Sequence, residues 1–134
     1  TQRDPSRLGA RTLRTILENG DAEWLVDQMI ERGEIFSSFY QLLLHETWSV
    51  RLGAMVVVED LGDRAPDIAQ TMCPVLMDAF EKHDITVQGD ILYALGEAGS
   101  PLTQDWIKSI LPSLEHEDLI DAAEDALESL ESRI

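Results

Sequence analysis

The sequence predicts an all-α fold, an α-solenoid of about eight antiparallel helices packed as hairpins. Three observations carry that expectation. Glycine, proline and capping residues cut the chain into segments of roughly 11 to 17 residues, within which apolar residues recur at spacings of three and four. A motif of small or apolar pairs reappears in alternate segments: Gly53-Ala54, Val57-Val58 and Leu61; Asp90-Ile91, Ala94-Leu95 and Ala98; Ala122-Ala123, Ala126-Leu127 and Leu130. The intervening segments share another ending, "LLLHE", "FEKHD" and "LEHED". The motif shifts by 37 residues from Gly53 to Asp90 and by 32 from Asp90 to Ala122. That is the period of a two-helix unit that buries its apolar side only against its neighbours.

Taken in order, Asp4-Pro5 opens a first helix that "ENGD" closes, with Arg7, Arg11 and Arg14 as one stripe opposite Leu13, Ile16 and Leu17. Asp21 starts "AEWLVDQMIER", a looser copy of the motif through Leu25-Val26 and Met29-Ile30, and Gly33 separates it from "EIFSSFYQLLLHE". Thr47 is placed to cap "WSVRLGAMVVVEDL", which Gly62 ends. The β-branched run "AMVVV" inside it reads as a helix covered on both sides, because the window between cap and glycine is too long for a strand. Pro66 begins "PDIAQTMCPVLMDAFEK", Asp84 precedes "ITVQGDILYALGEA", and Ser100-Pro101 is a cap followed by proline at the first helical position. "EDLIDAAEDALESLESR" is the last helix. Pro74 and Pro112 fall inside their segments and are expected to bend or break them. Gly89 and Gly96, on one side of the sixth helix, predict a close crossing. The tetrapeptide "RLGA" occurs at residues 7–10 and 51–54. That separation is out of step with the period near 37, so only the second copy reads as a repeat element.

The 134 residues, 44% hydrophobic and 27% charged, suit one soluble domain, with residues 1–20 as a lead-in and 21–134 as repeats. The opening "TQRDPS" lacks a starting Met and reads as a piece of a longer protein. Twenty-six acidic residues against 10 basic ones leave a net charge of −16, which repels a phosphate backbone and argues against nucleic acid as a partner. The lead-in runs the other way, with Arg3, Arg7, Arg11 and Arg14 against Asp4 and Glu18, whereas the last helix is the acidic extreme. Cys73 is the only cysteine, so no internal disulfide forms. No apolar run reaches the ~18 residues of a membrane span and no signal peptide opens the chain, so the expected compartment is the cytoplasm, away from membranes.

No catalytic, cofactor-binding or metal-binding residue is assigned. His45, His83 and His116 recur once per unit beside an acid, but adjacent units about 10 Å apart hold imidazoles too far apart to share an ion; polar groups at helix ends explain them. Asp60 and Glu97 occupy equivalent positions and Asp90 shares the face of Glu97, which reads as solvated surface or, at most, a ridge for basic partners. Cys73, between Met72 and Pro74, reads as a buried, inert thiol. Trp48 and Trp106, close to helix starts, are candidate anchors for a partner, as is Trp24, although filling the ends of the core is the stronger reading of all three. Phe36, Phe39 and Tyr40 read as packing. Arg7, Arg11 and Arg14 either lie over an acidic neighbour or contact a preceding domain.

"VRLGAMVVVEDLG" and "DLIDAAEDALESL" resemble the first helices of HEAT repeats, whose usual form is Val-Arg, Ala-Ala, Ala-Leu, then Leu-Gly. The resemblance covers roughly residues 21–134 and departs at Gln88, where an arginine is expected, and at Asp90. "HETWSVRLGAMVVVEDL", with "LENGDAEWLVDQMIERGEIF" before it and "GDILYALGEAG" after it, is similar to the helical C-terminal extension of certain bacterial thioredoxin-fold or glutaredoxin-like redox proteins. That likeness implies a helical module attached to, or descended from, a disulfide oxidoreductase; without a Cys-x-x-Cys here, no redox role passes to any residue of this chain. The expected function is a non-catalytic interaction or scaffold module holding a protein partner or a covalently attached domain. The alternatives are a HEAT-like lyase-type enzyme using acidic residues, and a homo-oligomerisation module. Converging carboxylate, His or Cys side chains within ~4 Å of each other would mark the enzyme.

Overall fold

Backbone punctuation sets the elements. The computed structural model describes residues 4–133, and among these are nine α-helices, three short 3-10 turns and no strand. A 3-10 turn at Pro5–Arg7 precedes α1 (Ala10–Glu18), α2 (Ala22–Arg32), α3 (Phe39–Leu43) and α4 (Trp48–Arg64). Then come α5 (Pro66–Gln70), α6 (Cys73–Ala79) with a 3-10 turn at Phe80–Lys82, α7 (Ile85–Ala98), α8 (Pro101–Ile110) with a turn at Leu111–Ser113, and α9 (Glu117–Glu131). Gly33, at φ +68°, ends α2 in a left-handed turn that lets the Glu34 amide reach the Met29 carbonyl. Asp84 caps α7 by accepting from the Val87 amide at 3.1 Å, and Ser100 caps α8 through the Thr103 amide, as the sequence predicts.

Several boundaries differ from the sequence reading. Gly9 is the extended residue before α1, so Arg7 stands in the 3-10 turn and does not share a helical stripe with Arg11 and Arg14. Of "EIFSSFYQLLLHE" only Phe39–Leu43 is α-helical: the Ser38 hydroxyl donates to the Leu8 carbonyl at 2.5 Å, and Phe36 and Phe39 are both drawn into the core. Thr47 precedes α4 without a side-chain cap; His45 Nδ1 accepts the Thr47 amide instead. α4 runs through Gly62 to Arg64, because the missing side chain there makes room for the Glu97 carbonyl rather than ending the helix. Pro74 takes the second position of α6, and its segment breaks at Thr71-Met72 into α5 and α6. Pro112 falls in the 3-10 turn that ends α8.

Helices α2, α4, α7 and α9 pack in chain order as a row; α3 and α5 lie against α4, α6 against α7, α8 against α9, and α1 against α3 and α4. The row contributes Val26, Met29, Ala54, Val57, Val58, Leu61, Ile91, Ala94, Leu95, Ala98, Ala123, Ala126 and Leu130 to one buried cluster. Burying each of its leucines is worth roughly 1.5–3 kcal/mol. The first members of the leading motif pairs, Gly53, Asp90 and Ala122, are only part-buried. α7 and α9 cross closely at Gly96, where an added Cβ would stand 3.0 Å from Ala126 Cα and 3.3 Å from its Cβ. Gly89 has nothing within 4 Å of that position, so the crossing expected of both glycines is made by Gly96 alone.

One cation lies inside this packing. Arg51 is 2% exposed. Its Nε donates to Asp90 Oδ2 of α7 at 2.6 Å, and its Nη1 donates to the His45 and Glu46 carbonyls at 2.7 and 3.0 Å. Gln88, 37 residues further on, donates from Nε2 to the Phe80 carbonyl at 2.9 Å, so it too ties its helix to the end of the preceding segment. Gln88 and Asp90 therefore both carry hydrogen bonds between α7 and another segment.

Urea unfolding separates the two glycines of α7: Gly89→Ala raises stability by roughly 0.5–1 kcal/mol, the mid-helix gain of alanine. Gly96→Ala lowers it by about 1 kcal/mol, because the backbone of α9 cannot yield as a flexible side chain would. Arg51→Met is expected to cost about 3 kcal/mol, since it strands Asp90 and two carbonyls. Arg64→Met, in an exposed pair, should shift the midpoint little.

Candidate functional site

Each row helix turns one strip to solvent. On α4 it is Trp48, Leu52 and Val56, at 63%, 48% and 51% exposure, spaced four apart and so stacked along one side. A shift of 37 leads to Ile85, Gly89 and Tyr93 on α7, where Ile85 and Tyr93 are again exposed. On α2 the position matching Leu52 in the motif is Trp24, also exposed. On α9 the corresponding residues are Glu117, Asp121 and Asp125, all exposed. The open side of the row thus passes from a lone Trp24 on α2, through apolar strips on α4 and α7, to acidic residues on α9. Large apolar side chains held in water at matched positions are what a binding surface presents.

Tyr93 ties α7 to α4 on this side: its hydroxyl donates to Glu59 Oε1 at 2.8 Å. Partial desolvation, then the Glu59 hydrogen bond and the nearby Glu59 and Glu97 charges, push its pKa up to about 12. Beyond it, a groove of about 380 Å³ runs between α7 and α9, lined by Gly89, Tyr93, Gly96, Ala122, Asp125 and Ala126. The bare backbone of Gly89 leaves a notch there, with Asp125 among the lining residues.

The carboxylates picked out from the sequence serve the fold. Asp90 holds Arg51, Asp60 pairs with Arg64 at 3.2 Å, and Glu97 pairs with Arg133 at 2.6 Å. Arg64 also reaches Asp27 on α2 at 2.6 Å, and Arg133 donates to the Glu97 carbonyl. The expected ridge for basic partners at Asp60, Asp90 and Glu97 is therefore occupied by the chain's own arginines. Arg7, Arg11 and Arg14 are exposed, and Arg14 pairs with Glu18 on its own helix. Trp106 is part-buried and meets Phe80 edge-on, ring centres 5.5 Å apart, whereas Trp48 has the open position.

His45 and His116 accept backbone amides at Nδ1, from Thr47 and Asp118, in the turns that lead into α4 and α9. Among the described residues, no three His, Cys, Asp or Glu side chains are grouped to hold a metal ion. Cys73 is buried with its thiol pushed up by desolvation, and its Sγ lies 3.7 Å from the Ala98 carbonyl. No helix among the described residues is long and apolar enough to cross a membrane. Leu52, Val56, Ile85 and Tyr93 are the part of the face that motif reading passes over. Their signal is a second four-residue spacing, offset from the buried motif and repeated at the same shift of 37. No protein family, curated protein or solved structure matches the chain.

The chain has two tyrosines, and both titrate late: Tyr40 is raised by burial and then by Cys73, Tyr93 by the causes above. Tyrosinate absorbance of the folded protein is expected to stay low at pH ~10, the ordinary tyrosine pKa, and Glu59→Gln should bring one of the two transitions earlier. The fold favours the neutral hydroxyls. Their contribution to stability is thus complete below pH ~10 and is lost as pH rises through the folded values.

Proposed function

We propose that this chain is a non-catalytic protein-recognition module, an α-solenoid of HEAT-like helical hairpins whose open face on α4 and α7 holds a partner. The observation that carries the reading is the pair of exposed strips, Trp48, Leu52 and Val56 beside Ile85, Gly89 and Tyr93, at matched positions on neighbouring helices. In the helix-in-groove mode such spacing receives a partner helix through residues one turn apart. Trp48 is the natural anchor. The pairing of Asp60, Asp90 and Glu97 with arginines favours recognition over a lyase using those acids: Asp90 and Glu97 each join α7 to another segment, and Asp60 pairs along its own helix with Arg64. Attachment to a thioredoxin-fold domain rests on the sequence resemblance alone, and a Cys-x-x-Cys domain in the same reading frame is what it requires.

Affinity capture with the immobilised chain tests the recognition reading. Trp48→Ala with Leu52→Lys is expected to reduce recovery of specific partners about tenfold, the loss of one anchor, with helicity unchanged by circular dichroism. Trp106→Ala should retain them. Equal recovery by the wild type and the double variant overturns the assignment of this face.

A further inference from the structure

Resting on the recognition reading above, we infer that the occupant of the α4–α7 face is a peptide segment that is apolar on one side and rich in lysine or arginine beside it. The apolar half follows from the face itself: Trp48, Leu52 and Val56 span two helical turns, about 12 Å, and Ile85 and Tyr93 lie one helix away. The basic half follows from what borders it. Asp90 and Glu97 on the row are each paired with an arginine of the chain itself, and Asp27 and Asp60 share Arg64. Glu117, Asp121, Asp125 and Glu128 on α9 are exposed and form no ion pair among the described residues, and Asp125 lines the groove itself. The Gly89 notch is roomy enough for an apolar side chain, and Asp125 in its wall is placed to meet a neighbouring cation. A net charge of −16 steers a cationic segment inward and repels a second copy of this chain.

The probe is a labelled amphipathic helical peptide of about 18 residues built from Leu and Lys, compared with versions carrying Gln or Glu in place of Lys. Fluorescence anisotropy with the full chain reads the affinity. The Lys peptide should bind, and more weakly when salt rises from ~0.1 to ~0.3 M. Gly89→Trp, which fills the notch, Leu52→Lys on the exposed strip, and Asp121→Asn with Asp125→Asn should each weaken binding by about tenfold. Glu34→Gln with Glu81→Gln removes as much charge from exposed positions elsewhere and should leave it within about twofold. If that control weakens binding equally, attraction is unspecific and the inference falls. If the Gln or Glu peptide binds as tightly and Leu52→Lys abolishes it, the face binds peptides but the basic occupant is wrong. If no peptide binds and sedimentation finds a dimer that Leu52→Lys dissociates, the occupant is a second copy. If no peptide binds and the chain is monomeric, the basic occupant falls while the capture experiment still decides the recognition reading.

Discussion

A guanidinium enclosed at 2% exposure holds the register of this molecule. Leucine, valine and alanine contacts along the row are non-directional, so they specify the register of α4 against α7 less sharply than a paired charge does. Arg51 supplies that charge. A charge removed from water needs its partners in place, and these come from two directions: Asp90 on the following row helix and the His45 and Glu46 carbonyls just after α3. Moving either element leaves a buried cation or a stranded carboxylate.

The same fastening is made differently one helix further on. Gln88 supplies a neutral bond to the Phe80 carbonyl, and Ile120, at the matching place on α9, has no side-chain donor at all. There, α7 and α9 meet instead through bare backbone at Gly96 against Ala126, with Ser129 donating to the Gly96 carbonyl. Arg64 and Arg133 add pairs at the outer rim, reaching Asp27 and Glu97. In a chain with 10 basic residues, arginines committed to the fold leave few to neutralise the remaining acids. Among the acids left over, Glu117, Asp121, Asp125 and Glu128 stand on α9, the helix packed against α7.

Much of the helical layout is legible in the order of residues. Asp84, Ser100-Pro101 and Gly33 mark helix ends by local chemistry that acts within a few residues, and the buried positions of the row follow the motif pairs closely. Where local signals misled, a distant contact had taken over. Gly62 looks like a stop and is a point of close approach to α7; Phe36 and Ser38 look helical and are pulled into a turn by the core and by Leu8. Trp48 and Trp106 read alike in sequence, but Trp48 opens α4 and stands in water, whereas Trp106 lies in the middle of α8 and is covered by Phe80.

Helicity, the starts of most helices and the apolar side of each are readable along the chain, because caps, prolines and three-to-four spacing act through neighbouring residues. The tertiary structure alone decided which charges belong to the fold and which to the surface. Asp90 and Asp125 are indistinguishable as residues on amphipathic helices; Asp90 faces Arg51 across a helix boundary and Asp125 faces water. That difference arises from pairing between residues some 39 positions apart, and no local pattern encodes it.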